Sequence, residues 1–290
     1  MKKSQIIVTS LLSAALLGGA ASYLTDTCIG LFSFETMARR TQYLRGRDST
    51  APFETKTMRV GTFNRIDVSA GIEVIYTQGP LREISIKARR DLMPLIEIHE
   101  SRGELSLTVT QDSFNNMSIN RGDIVVTLAS PVCNAIETSS GAAFVSEGRV
   151  RVNNKLTLDA SSGSSISFSG KLTAEMLEVE SSSGATVTLS ECDTPRTAIL
   201  ASSSSRLKIA DLNSDYLEVE GSSGAGMMVA GKGKKASIYM SSGATFNGGD
   251  FPLYTTDLRA SSGANAVINS TEVNASCSSG ATYMNLKKGD

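Results

Sequence analysis

A three-residue string, Ser-Ser-Gly, returns along the second half of this chain at a nearly constant interval. It stands at Ser139-Ser140-Gly141, Ser161-Ser162-Gly163, Ser182-Ser183-Gly184, Ser222-Ser223-Gly224, Ser241-Ser242-Gly243, Ser261-Ser262-Gly263 and Ser278-Ser279-Gly280. One further copy, Ser203-Ser204-Ser205, carries serine in the third place. The third places follow one another at steps of 22, 21, 21, 19, 19, 20 and 17 residues. A period in this range marks an array in which each repeat is one coil of a solenoid and buries its apolar side against its neighbours.

The residues around each string support strands on both sides of a corner. Five places before the third position stand Ile136, Leu158, Val179, Leu200, Val219, Ile238 and Leu258. Three places after it stand Phe144, Ile166, Val187, Met227, Phe246 and Tyr283, and five places after it Phe168, Leu189, Val229 and Ile268. Each copy therefore reads as strand, corner, strand. The corners fall at Gly141, Gly163, Gly184, Ser205, Gly224, Gly243, Gly263 and Gly280, with Gly71 of Ser69-Ala70-Gly71 as a degenerate earlier copy. Glycine permits the positive φ that a sharp corner requires. Small serines let opposing walls approach, and their hydroxyls can bond to the corner backbone. Lys208 takes a place that is apolar in other copies, so that coil is expected to bulge.

With 40% hydrophobic residues but 6% aromatic and no Trp, the core must be made of small and β-branched side chains. The expected fold is all-β: a single-chain parallel β-solenoid with coils of about 20 residues. Period-2 alternation over Ile66–Val68, Ile72–Tyr76, Leu105–Val109 and Ile124–Leu128 adds strands before the repeats, read as a β-rich cap. The segment from Gln111 to Asn120 is polar and reads as a loop.

The N-terminus reads as a targeting signal. Lys2 and Lys3 precede an uncharged run from Ile6 to Ala21 that ends on small residues, Gly19-Ala20-Ala21. The expected organisation is a signal peptide over 1–21, a linker over 22–56, the capping region over 57–131 and the solenoid over 132–286. If the signal stays uncleaved, it is the one expected membrane contact. A net charge of -1 gives no global attraction to nucleic acid. Cys28, Cys133, Cys192 and Cys277 show no metal or disulfide spacing, and Cys277 reads as a small buried residue.

Candidate chemistry is sparse. Asp159 and Glu180 hold the same place, four before the third position, in successive coils. They could stack about 5 Å apart as outward acids, a weak cation site or a catalytic pair. Gly226–Lys232 matches part of a phosphate-binding loop, but Gly233 follows where Ser or Thr is needed. Gly231-Lys232-Gly233-Lys234-Lys235 reads as a solvated loop, and Asn247-Gly248-Gly249-Asp250 as a turn. His99 is the one histidine and has no ligand or nucleophile partners in the sequence. No cofactor is expected.

The stretch Phe63-Asn64-Arg65-Ile66-Asp67-Val68-Ser69-Ala70-Gly71-Ile72-Glu73-Val74 resembles the opening of the family described as putative auto-transporter adhesin, head GIN domain. The Ser-Ser-Gly-Ala corners are similar to that family's Gly/Ser-rich repeats, over about residues 60–285. The resemblance implies a right-handed β-helix exported to the periplasm or outer surface of a Gram-negative bacterium. It supplies no catalytic residue. Together these features favour a non-enzymatic envelope protein, an adhesin or binding scaffold whose partners are envelope or host glycans or another protein. A β-helix polysaccharide lyase or hydrolase and a periplasmic structural or stress-linked scaffold are the alternatives.

Overall fold

The computed structural model describes residues 51–81, 83–110 and 119–287. The expected signal peptide, Cys28, nearly all of the expected linker and most of the 111–120 loop lie outside the described residues. The described chain is a β-solenoid of about eight turns.

In chain order the strands are β1 (Phe53–Met58), β2 (Arg65–Val68), β3 (Glu73–Gln78), β4 (Ile84–Arg89), β5 (Ile96–Ser101), β6 (Glu104–Val109) and β7 (Ile124–Ser130). A single 3-10 turn, Met93–Leu95, precedes β5. The repeats supply β8 (Ala135–Thr138), β9 (Ala143–Ser146), β10 (Val150–Arg151), β11 (Lys155–Ala160), β12 (Ser165–Thr173), β13 (Met176–Ser181) and β14 (Thr186–Asp193). They continue with β15 (Arg196–Ala201), β16 (Arg206–Gly221), β17 (Gly226–Met240), β18 (Thr245–Ala260), β19 (Asn265–Cys277) and β20 (Thr282–Asn285).

Strands that enter a corner stack into a front wall. β6, β2, β8, β11, β13, β15 and the C-terminal halves of β16 to β19 pair in parallel, rung on rung. Strands that leave a corner form a back wall from β7, β3, β9, β12, β14, the N-terminal parts of β16 to β19, and β20. From the β8–β9 coil onward a short third side appears, as where Val150, Leu172, Cys192 and Leu212 stack. The first coil, β2–β3, lies between β6–β7 and β8–β9, so the chain leaves the stack after β3 and rejoins it on the other side of that coil. Strands start earlier than the alternation at Ile66: β1 begins within the expected linker, runs into the expected capping region and pairs antiparallel with β4. Antiparallel β5 on β6 likewise covers the front wall's first edge. Charged, antiparallel strands of this kind blunt an edge that could template pairing with another chain.

Each corner is a turn in which both central residues are left-handed. At Ser139–Ala142, Ser140 has φ 50° and Gly141 φ 74°, and the Ala142 amide donates to the Ser139 carbonyl at 3.0 Å. Two positive φ values define the type I′ turn. The middle serine is not a glycine and carries a steric cost of about 1 kcal/mol. The corners ladder with one another, which offsets that cost: Gly163 N–H donates to Ser183 O at 3.0 Å, and Gly184 N–H to Ser203 O at 3.0 Å.

That ladder moves the frame of one coil. In the Ser203-Ser204-Ser205 copy the left-handed residues are Ser203 (φ 51°) and Ser204 (φ 61°). Ser204, not Ser205, holds the glycine place, and its amide donates to Ser223 O at 3.0 Å. Ser205 is buried, with its hydroxyl on the Ser181 carbonyl at 2.9 Å. The inward residue of this coil is therefore Ile199, paired with Val179, while Leu200 faces out. Lys208 also faces out and Leu207 fills the apolar slot, so the expected bulge does not form there.

The interior is filled. Small residues Ala160, Ser181, Ala201, Gly221 and Ala260 line the corner side, as narrow walls require. Farther in, Tyr76, Phe144 and Phe168 stack with ring centroids 5.6 and 5.9 Å apart. Ser146 sits between Tyr76 and Phe168 in register, which leaves room for their rings. Gly248 gives similar room: a Cβ there would lie 2.7 Å from the Phe246 ring. Asn247–Asp250 is accordingly strand, not turn, and Gly231–Lys235 runs as strand within β17 rather than as a loop. Lys234 is tied to Asp215 at 2.8 Å. Cys277 is exposed, not buried, because within the described residues no coil stacks beyond β19 and β20.

Candidate functional site

Parallel stacking turns each outward place of the repeat into a ladder along the front wall. Four places before the corner glycine, the ladder reads Ser106, Asp67, Glu137, Asp159, Glu180, Leu200, Glu220, Tyr239, Arg259, Ser276. Asp159 and Glu180 are thus brought together as neighbouring rungs. They are two members of a run of four carboxylates, not an isolated pair. Asp67 and Glu137 extend it, and reading the same place in every coil finds them in the sequence.

Asp67, Glu137 and Asp159 are raised, chiefly by burial. Burial against the wall pushes the Asp159 carboxyl up to about 6, and the charges of Glu180 and Glu137 add to that rise. Asp67 is raised by burial despite a 3.0 Å hydrogen bond from the Ser106 hydroxyl, with Glu104 adding to the rise. Glu137 is raised by burial and by Asp67 and Glu104. No group of three or more His, Cys, Asp or Glu among the described residues is arranged to hold a metal ion. The exposed His99 imidazole lies 3.6 Å from Glu97 at the edge of β5. Burial raises the Cys133 and Cys192 thiols to about 12, which leaves them as inert packing groups.

Beyond the acids the wall changes character. Leu200 is 42% exposed and Tyr239 40% exposed. With Glu220, Arg259 and the first serines of three corners, Ser222, Ser241 and Ser261, they line a groove of about 380 Å³. The Arg259 guanidinium lies over the Tyr239 ring, 5.7 Å from its centroid. A second depression of about 290 Å³ shares Leu200 and Glu220 and is flanked by Glu178, Glu180 and Glu218. Leu200 is the saddle between the acidic and the aromatic halves. The sequence reading places Leu200 in the core, and the frame shift of its coil turns it outward.

The chain matches the family described as putative auto-transporter adhesin, head GIN domain, over residues 62–286, and it belongs to that family. Among solved structures it is similar to a putative adhesin from Parabacteroides merdae at TM-score 0.70 and 15% identity, covering 81% of this chain and 96% of that one. It is equally similar to a putative lipid binding protein from Parabacteroides distasonis at TM-score 0.70 and 14% identity, covering 81% and 97%. A putative adhesin from Bacteroides fragilis follows at TM-score 0.55 and 17% identity, covering 81% and 97%. At these identities the likeness is one of fold. Among curated proteins, none matches the chain.

Proposed function

We propose that this member of the head GIN domain family is an exported, non-catalytic binding scaffold of the adhesin type, which presents its front wall to a polymer outside the cytoplasm. The observation that carries the reading is the front-wall groove, where Leu200, Tyr239 and Arg259 lie open on an otherwise polar, regularly laddered face. Apolar surface with a few convergent polar groups is the usual composition of a binding site. The basic and apolar run at residues 2–21 supports export. The adhesin description of the family and of two similar structures supports a surface role.

A solenoid wall suits an extended ligand. Its rungs repeat about every 4.8 Å, so a polymer laid along the axis meets the same chemistry several times. Each contact is weak and the sum is not. Fractionation of cells, with protease added outside, should find the mature protein beyond the inner membrane. Deleting it should reduce attachment to a glycan-coated surface, and restoring it with Tyr239→Ala should not recover attachment. A protein retained in the cytoplasm, or attachment unchanged by deletion, sinks the reading. Catalysis by Asp159 and Glu180 is tested by assaying acidic polysaccharides for cleavage, which the scaffold reading expects to be absent.

A further inference from the structure

We infer that the Tyr239–Arg259 groove takes an acidic sugar, a pyranose that carries a carboxylate, as one unit of a longer glycan. The inference rests on the binding-scaffold reading and names its ligand class.

Three consecutive rungs of one ladder supply three different chemistries. Glu220 offers an acceptor, Tyr239 a flat apolar ring and Arg259 a cation, each about 4.8 Å from the next. Beside them runs a column of hydroxyls, Ser222, Ser241 and Ser261, one per rung. A pyranose needs this set. Its C–H face packs on an aromatic ring, and its hydroxyls need both donors and acceptors.

Arg259 selects for the acid. Among the described residues it has no ion-pair partner, and its guanidinium is held only over Tyr239. The nearest acid on its strand and face, Asp257, is engaged by Lys235 at 3.5 Å and by the Asn274 amide at 3.3 Å. The guanidinium fork is therefore open to a ligand carboxylate, for which its geometry is bidentate. An acyl chain fits less well, since it would leave Glu220 and three serine hydroxyls facing apolar surface with no hydrogen bonds.

The test is titration calorimetry of the full chain with oligogalacturonate, oligoglucuronate and a sialylated oligosaccharide, beside a carboxyl-reduced form of each. At least one acidic glycan should bind. Its carboxyl-reduced form, Arg259→Met and Tyr239→Ala should each weaken binding at least tenfold. Lys208→Ala on the back wall should change it less than twofold. Unfolding midpoints check that each variant is folded, and Arg259→Met carries the test alone if Tyr239→Ala does not fold. Equal binding of the reduced form, or indifference to Arg259→Met, overturns the acidic-sugar inference while the scaffold reading survives on its attachment assay. Binding of none of the three acidic glycans also overturns it.

Discussion

Asp159 lies directly over Glu180 in the parallel register of β11 and β13, and its carboxyl is raised to about 6 by burial and by that neighbour. An acid whose folded value is above its unfolded value of 3.8 binds more protons when folded. Stability therefore falls as pH rises from about 4 to about 6 and is level above that. Asp159→Asn removes the ionised group. The variant should be more stable than the parent at pH 7.5 by of order 1–2 kcal/mol once solvent screening is allowed for, and equal to it near pH 3.5. Thermal midpoints against pH check this, and a variant less stable at pH 7.5 contradicts it.

The corner at Ser202–Ser205 separates two adjacent serines by their roles. Ser204→Gly places the residue without a Cβ where φ is 61° and should stabilise by about 0.5–1 kcal/mol. Ser205→Ala removes the buried hydrogen bond to Ser181 O and should cost about 1 kcal/mol. Urea midpoints of the two variants should move in opposite directions. Gly184→Ala, where a Cβ meets nothing within 4 Å, should cost about 1 kcal/mol through backbone strain alone.

Phe168 is fully enclosed against Phe144. Phe168→Ala should destabilise by about 3–5 kcal/mol, since stacked rungs on both sides limit collapse into the space. A loss under 1 kcal/mol in the denaturant midpoint would mean that this part of the interior is not close-packed.

The cysteines should divide by position. In a Cys28→Ser background, a thiol reagent added to native protein should modify Cys277 rapidly. Cys133 and Cys192 should react only after unfolding, because both are buried and their thiols are raised to about 12. Mass mapping of modified peptides reads this out directly, and labelling of Cys192 in the native state would contradict the closed third side.

What the amino-acid order determines alone is the coil. Equal places in successive repeats stack, so the Ser-Ser-Gly period and the period-2 alternation state which residues turn in. They also state that Asp159 meets Glu180. The order cannot choose the frame of Ser203-Ser204-Ser205. Ile199 and Leu200 are both apolar, either Ser204 or Ser205 can stand at the corner, and only the amide bonds to the coils on each side select Ser204. Nor can it show that β2–β3 lies between β6–β7 and β8–β9, because that contact joins segments separated by a long excursion of the chain. The groove depends on both. Leu200, Glu220, Tyr239 and Arg259 are about twenty residues apart in sequence and become neighbours only through the stacking of coils, one of which turns its leucine outward.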